Sequence, residues 1–322
     1  MDTRGGCVNA SATEKRPEIS MPAPAWSLAT TAGAAGPIAC IETGGALYKL
    51  EPSLARAGLP GITSNIALFD DWASAQPALE KAVGMLSPAD IVPDGGRLAP
   101  LLYPGKIMCA GANYFDHLAE MGMPGAKKAD QRLFFFMKPP RNAVVGEGPT
   151  VRIPIGSKAF DWEIELGAVI GTRARNVPVE TALEHVAFYT VTIDFSARDH
   201  NRAPETFYKL DWVAGKANDT CCPMGPRMVP AAAIANPQDI GLKLAVNGEV
   251  KQDGRSTNMI FSIAEQISIA SRIMTLDPGD LLLTGTPAGV GAPKQTFLKA
   301  GDTVDAEIEG IGRLSVVIQP AG

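Results

Sequence analysis

The sequence predicts an α+β chain in which strands dominate, with a small N-terminal domain ahead of a larger strand-rich one. Three observations carry this reading. From Leu101 onward the apolar residues fall in many short segments, cut at intervals by Gly, Pro, Asn and Asp. Few stretches show the three-to-four spacing of an amphipathic helix. The composition, 46% apolar and 20% charged with 33 Gly and 26 Pro among 322 residues, is that of a globular chain rich in turns. Strands this numerous are buried more naturally by a closed or sandwiched sheet than by a doubly wound parallel one.

In order along the chain, residues 1–25 are small, polar and interrupted by proline, with no apolar period to offset the entropy of ordering them, and read as a disordered tail. The Asn9-Ala10-Ser11 sequon within it carries no weight in a cytosolic protein. Residues 26–100 read as a small accessory domain. WSLAT, PIACIETG and GALYKL are its β-like pieces, and DDWASAQPALEKAVGML is its helix, with apolar residues three to four apart. Residues 101–322 form the main domain. VRIPI, IELGAVIG, YTVTIDF, LKLAVNGEV, DLLLTG and DAEIEGIG read as strands; HLAEMG, VETALEHVAF and SIAEQISIASRIM read as helices.

Composition also excludes function classes. Twenty-nine basic against 34 acidic residues leave a net charge of -5 with no dense Lys/Arg tract, so nucleic acid is not the expected partner. No apolar run reaches the roughly 18–20 residues of a membrane span, and no secretory apolar core is seen, so the expectation is a cytoplasmic protein that does not engage membranes. The 5 cysteines form no CxxC pair, which speaks for reduced thiols and against a Cys-held zinc. Walker, GxSxG, HExxH and helix-opening GxGxxG motifs are missing. The glycine-rich run Gly285–Gly291 follows a strand with no helix pattern after it, and reads as a loop.

Chemistry concentrates in a few places. In Asp161-Trp162-Glu163-Ile164-Glu165-Leu166, strand alternation puts Glu163 and Glu165 on one face. The apolar continuation Gly167-Ala168-Val169-Ile170 carries that strand toward the core. Buried like charges need a cation, and oxygen ligands without Cys or His suit Mg²⁺ or Mn²⁺. Asp194, at the end of the apolar run Tyr189–Ile193, is a candidate third acid, though a capping residue has the same spacing. Arg198 and Asp199 follow and read as a local ion pair. His117 and Glu120 are three apart on a predicted helix turn, where a carboxylate would orient the imidazole as a base. Lys216 sits among small apolar neighbours that could desolvate it, although most such lysines reach water. His185 reads as a packing or surface residue.

Taken together, KIMCAGANYFDHLAEMG, FFFMKPPRNAVVGEG, DWEIELGAVIG, YTVTIDFSARD, GKANDT, PMGPRMV, LAVNGEVKQDG, LDPGDLLLTGTPAGVG and GDTVDAEIEGIGRL, in this order, resemble the fumarylacetoacetate hydrolase family. The resemblance implies a mixed β-sandwich roll with short helices behind a small N-terminal domain, and a homodimer. It implies that Glu163, Glu165 and Asp194 hold Mg²⁺ or Mn²⁺, and that His117 and Glu120 activate water. By the same resemblance Lys216 and Arg198 meet the substrate's anionic oxygens, and Thr286 lies near the substrate in a Gly-Thr-Pro loop. Asn201 stands where several hydrolase members have Gln, and Pro124–Arg132 looks like an insertion beside the dyad.

The chemistry so implied is hydrolysis of a carbon-carbon bond in an acylpyruvate or related β-diketo acid, through a metal-bound enolate. Three carboxylates and one divalent ion sum to a single negative charge, and Lys216 with Arg198 then makes the pocket attractive to a small anionic 2-oxo acid. The same residues would serve a 2-oxo diacid decarboxylase, an isomerase or a hydratase. A non-catalytic metal-binding relative is the reading from a different class.

Overall fold

The computed structural model describes residues 24–321, so all but the last two residues of the expected tail, with Cys7 and the sequon, lie outside the described residues. Twelve strands form one large sheet. Its main path runs Ile91–Val92, Ala46–Lys49, Gly36–Thr43, Ser27–Gly33, Cys222–Pro230, Val186–Ile193, Ile164–Ile170, Leu281–Leu283, Ile107–Gly111 and Phe134–Lys138. Neighbours on this path are antiparallel except Leu281–Leu283 against Ile107–Gly111, which is parallel. Ile164–Ile170 and Val186–Ile193 are buried at every position, as central strands covered on both faces must be.

A second sheet of five strands runs Glu249–Arg255, Gly241–Val246, Thr303–Ile308, Gly312–Gln319 and Gly148–Arg152. The LKLAVNGEV segment is a hairpin here, turned at Asn247 and Gly248. Both take positive φ (52° and 81°), the requirement of a two-residue turn matched to strand twist. Ile164, Leu166, Tyr189 and Val191 of the large sheet pack with Leu242, Leu244, Val304, Ala306, Leu314 and Val316 of the small one in a single core. The mixed, strand-rich sandwich expected from the sequence is what the chain adopts.

Alternation sends Val169 and Phe188 to the other side of the large sheet. There Met228, Leu281 and Leu283 join them with Leu28, Ile41, Leu50, Leu54 and Leu79. Residues 26–100 therefore share a core with the rest of the chain. They share its sheet as well, since Leu28 and Ala29 pair with Met228 and Arg227.

The helix expected over 70–86 forms at Trp72–Val83, with the Asp71 side chain capping Ser74 N–H. The one in SIAEQISIASRIM forms at Ile263–Ile273 behind a Ser262/Glu265 capping box. Two expectations fail locally. VETALEHVAF is a 3₁₀ turn over Val179–His185 that becomes strand at Val186, because Phe188 and Tyr189 pair with Pro230 and Val229. Leu50–Ala57 is a helix the sequence reading did not anticipate, closed by Gly58 at φ 98°. The four described cysteines, Cys40, Cys109, Cys221 and Cys222, are free and buried. Among the described residues no helix is long and apolar enough to cross a membrane.

Candidate active site and metal centre

Strand register assembles the acids. Ile164 lies opposite Ile193 and Glu165 opposite Thr192, and Asp194 N–H donates to the Glu163 carbonyl at 2.8 Å. Asp194 is thus the cross-strand neighbour of Glu163, at a separation where side chains on one face meet. Glu165 follows two residues along on that same face. One carboxylate oxygen from each of Glu163, Glu165 and Asp194 lies within 4.8 Å of the other two, and all three residues are buried.

Three cations enclose the triad. Lys216 Nζ donates to Glu163 Oε2 at 2.5 Å and to Asp194 Oδ2 at 2.7 Å, and is only 3% exposed, so it does not reach water. Arg198 donates to Glu163 Oε1 at 2.5 Å and to Asp161 Oδ2 at 2.8 Å. Asp199 is not the partner of Arg198; its carboxylate accepts from Ser157 Oγ and Lys158 N–H at 2.7 and 2.6 Å. The third cation, Lys138, is fully enclosed, with Nζ 2.8 Å from Asp194 Oδ1. Counting Asp161 with the triad, four acids face three bases, so one negative charge would be in excess were all four ionised.

These charges set the protonation states. Burial opposes ionisation of Glu163, but Arg198 and Lys216 overcome it and hold the carboxyl well below the usual range. Burial likewise disfavours the Lys216 ammonium, yet Asp194 and Glu163 hold it above its ordinary value. Glu165 goes the other way. Desolvation, reinforced by Asp194 and Glu163, pushes it well above the carboxylate range, against a 2.6 Å hydrogen bond from Gly285 N–H.

The donor set fits a divalent cation. Asp194 Oδ1 is buried and accepts no hydrogen bond despite the nearby ammonium, because Lys138 donates instead to the carbonyls of Phe195, Lys216 and Cys221 at 3.0, 2.6 and 2.9 Å. Three buried carboxylates converging within 4.8 Å, one of them a carboxyl that burial and its acidic neighbours keep from ionising, are what a divalent cation would satisfy. Three oxygen ligands with no thiol or imidazole among them suit a hard ion of the Mg²⁺ or Mn²⁺ kind.

The dyad sits on the short helix Phe115–Glu120. His117 Nδ1 lies 2.7 Å from Glu120 Oε1, and His117 is buried. With Glu120 accepting from Nδ1–H, the lone pair is left on Nε2, the nitrogen free to act as a base. Glu120 Oε2 accepts from Gly289 N–H at 2.9 Å, and Asp161 accepts from Gly291 and Ala292 N–H at 2.7 and 3.0 Å. Site carboxylates thereby hold the loop 285–292 at several points. Gly289 must be glycine: φ is 109°, and a Cβ would meet the Lys251 carbonyl at 2.0 Å. Thr286 is on this loop, its hydroxyl oxygen accepting from Gln252 Nε2 at 2.8 Å with its own hydrogen uncommitted.

A cleft of about 720 Å³ opens beside Glu120 and Arg198. Asn201 is not among its lining side chains; it packs on Gly215, where a Cβ would come within 2.5 Å of Asn201 Cβ. The Pro124–Arg132 segment is latched by Lys128, whose Nζ is 2.6 and 2.7 Å from the two Glu265 oxygens. His185 is a local contact, its Nδ1 3.0 Å from the Thr172 carbonyl. Lys138, Asp161 and Gln252 were missed by the sequence reading. Asp161 could have been found, since it directly precedes Trp162-Glu163-Ile164-Glu165.

Fold and site define a class of sandwich proteins with a buried carboxylate triad beside a His-Glu dyad. Residues 106–319 match the family described as fumarylacetoacetate (FAA) hydrolase C-terminal, and the chain belongs to this family of enzymes. It is 39% identical over 244 residues, 75% of this chain and 73% of the relative, to oxaloacetate tautomerase fahd2, mitochondrial, of Xenopus laevis. Among solved structures it is similar to fumarylpyruvate hydrolase from Pseudomonas aeruginosa in complex with Mn²⁺ and pyruvate, with TM-score 0.61 and 34% identity over 70% of this chain and 92% of that one. It is also similar to 2-hydroxyhepta-2,4-diene-1,7-dioate isomerase from Mycobacterium marinum, with TM-score 0.67 and 29% identity over 92% and 99%.

Proposed function

We propose that the chain is a divalent-metal-dependent hydrolase that cleaves a carbon-carbon bond in a 2-oxo acid bearing a second carbonyl, an acylpyruvate-type substrate. The observation that carries this reading is the oriented base. His117 is fixed by Glu120 at 2.7 Å, beside a buried carboxylate triad that an ammonium and a guanidinium already contact. A cation bound by Glu163, Glu165 and Asp194 would supply Lewis-acid stabilisation of the oxyanion that develops.

The residues then divide the work. Lys216 and Arg198 bring positive charge to the substrate's anionic oxygens and hold it in one orientation. His117 Nε2 takes a proton from water as the water oxygen bonds to the remote carbonyl carbon. The carbon-carbon bond breaks, its electron pair leaves as the enolate of a 2-oxo acid, and the remote acyl group departs as a carboxylic acid. Lys216, an ammonium held by Glu163 and Asp194, would return a proton to the enolate carbon.

The relative named oxaloacetate tautomerase supports a second reading, enol-keto interconversion of a 2-oxo diacid at this site without water attack. One experiment separates them. Acylpyruvates and oxaloacetate are supplied with Mg²⁺ or Mn²⁺ to the wild type and to His117→Ala, following diketone loss, pyruvate release and enol decay. The hydrolase reading expects pyruvate and a carboxylic acid from the wild type, and a loss of about 10²–10⁴-fold in His117→Ala with metal retained. Intact acylpyruvates together with accelerated enol decay would replace it by the tautomerase reading.

The same proposal includes a homodimer. Phe134 and Met137 on the terminal strand of the large sheet are 39% and 43% exposed, beside Trp212 and Val213 at 37% and 73%. Phe134 and Phe136 pack on Trp212, so these three side chains form one apolar surface whose burial against a second copy would also shield the Lys216 helix.

A further inference from the structure

We infer that Arg202 is a specificity-determining residue that receives a second carboxylate of the substrate, so that the cleft selects diacids over 2-oxo acids with a neutral acyl end. The inference rests on the 2-oxo acid reading above and adds the class of the remote group.

Four charged side chains line the cleft of about 720 Å³: Glu120, Arg198, Asp199 and Arg202. Three already have partners within the protein, Arg198 with donors to spare at the metal-site end. Glu120 divides its oxygens between His117 and Gly289 N–H, Arg198 its donors between Asp161 and Glu163, and Asp199 its oxygens between Ser157 and Lys158 N–H. Arg202 is exposed to the cleft, and among the described residues its side chain makes no hydrogen bond or ion pair. Its backbone is nevertheless fixed. Arg202 bridges to Leu210, and the adjacent Asn201 carbonyl accepts from Asp211 N–H at 2.9 Å.

The cleft therefore runs from Arg198, which touches a metal-site carboxylate, to one uncommitted guanidinium carried on a held backbone. The remaining wall is largely apolar, including Met121, Pro293 and Phe297, and offers no competing acid. A guanidinium presents paired N–H donors that match a carboxylate in two parallel hydrogen bonds. A neutral acyl end would leave that fork solvated and gain nothing from it. A cleft of this size lies within the usual range of small-molecule sites, roughly 300–1,000 Å³, and accommodates an acid longer than the part that meets the metal.

The test compares two Mn²⁺-supported acylpyruvates of equal length, one ending in a methyl group and one in a carboxylate. Wild type, Arg202→Gln and Arg202→Lys are each measured for kcat and KM, and for Kd by calorimetry. Arg202→Gln is expected to raise KM and Kd for the carboxylate-ended acid about tenfold, to leave kcat within about twofold, and to leave the methyl-ended acid unchanged. Arg202→Lys should recover part of the loss. Equal shifts for both acids, or no shift for either, would overturn the assignment. If the wild type binds the carboxylate-ended acid more tightly, and loses that preference in Arg202→Gln, yet cleaves neither acid, the hydrolase reading fails while this one stands. If neither acid binds the wild type, both fail.

Discussion

Replacing Lys138 by Met tests the charge architecture beneath the triad. Methionine keeps the length and most of the volume of lysine but removes its charge and its donors. The buried carbonyls of Phe195 and Lys216 would lose their donor, that of Cys221 would keep only Phe195 N–H at 3.2 Å, and Asp194 Oδ1 would lose the ammonium at 2.8 Å. A buried acceptor left unsatisfied costs about 1–3 kcal/mol, and breaking a buried ion pair from one side costs about 3–5 kcal/mol. These overlap because one nitrogen makes all the contacts, so the expected loss is about 3–5 kcal/mol, a large share of a typical stability of about 5–15 kcal/mol. Urea unfolding followed by tryptophan fluorescence and by far-ultraviolet circular dichroism gives the midpoint and slope. The midpoint should fall at unchanged slope, and Mn²⁺ should restore part of the loss, because an ion that binds only the folded state stabilises it. A Lys138→Met unfolding free energy within about 0.5 kcal/mol of wild type would show that the enclosed ammonium does not hold this corner together.

Gly289→Ala should disturb the dyad from outside it. The new Cβ would meet the Lys251 carbonyl and the loop must shift, so Gly289 N–H leaves Glu120; turnover should fall about tenfold or more while Mn²⁺ affinity is retained, read by calorimetry beside the rate assay. The Lys128–Glu265 latch should show in acid. Burial raises the Glu265 carboxyl, but the Lys128 and Ser262 contacts outweigh it and hold the value low. The latch is therefore complete above the ordinary carboxyl range and is lost as pH falls through the depressed folded value. The stability difference between wild type and Glu265→Gln should be constant near neutrality and shrink below about pH 4, modestly because the carboxyl is partly open to water.

Much of the site was legible where it depends on strand alternation. Glu163 and Glu165 are two apart in a buried strand, and that alone sets them on one face. The helical i, i+3 spacing did the same for His117 and Glu120. Asp194 could be read only as a strand end, because its place opposite Glu163 comes from the register of two strands some thirty residues apart. Lys138 was not legible at all. It closes a strand with exposed Phe134 and Met137, a pattern that suggests a solvated cation, and only the distant carbonyls at 195, 216 and 221 make it a buried one. The error at VETALEHVAF has the same origin: its apolar spacing suits a helix, but pairing with Cys222–Pro230 claims the second half as strand. Likewise, nothing local in Ser27–Gly33 announces that it pairs with a strand nearly two hundred residues later and so carries residues 26–100 into the large sheet.

The central claim is that Glu163, Glu165 and Asp194 together hold one divalent ion. Titration of Mn²⁺ into the chelator-treated protein, followed by electron paramagnetic resonance of the free ion and by calorimetry, measures this directly. Glu165→Gln serves as the comparison, since its amide oxygen can still accept from Gly285 N–H and preserve the fold. The account predicts one ion per chain in the wild type and a loss of about tenfold or more in affinity in Glu165→Gln, with unfolding midpoints in chelator that stay close. Equal Mn²⁺ affinity in the two proteins, or no saturable binding in the wild type, would contradict it.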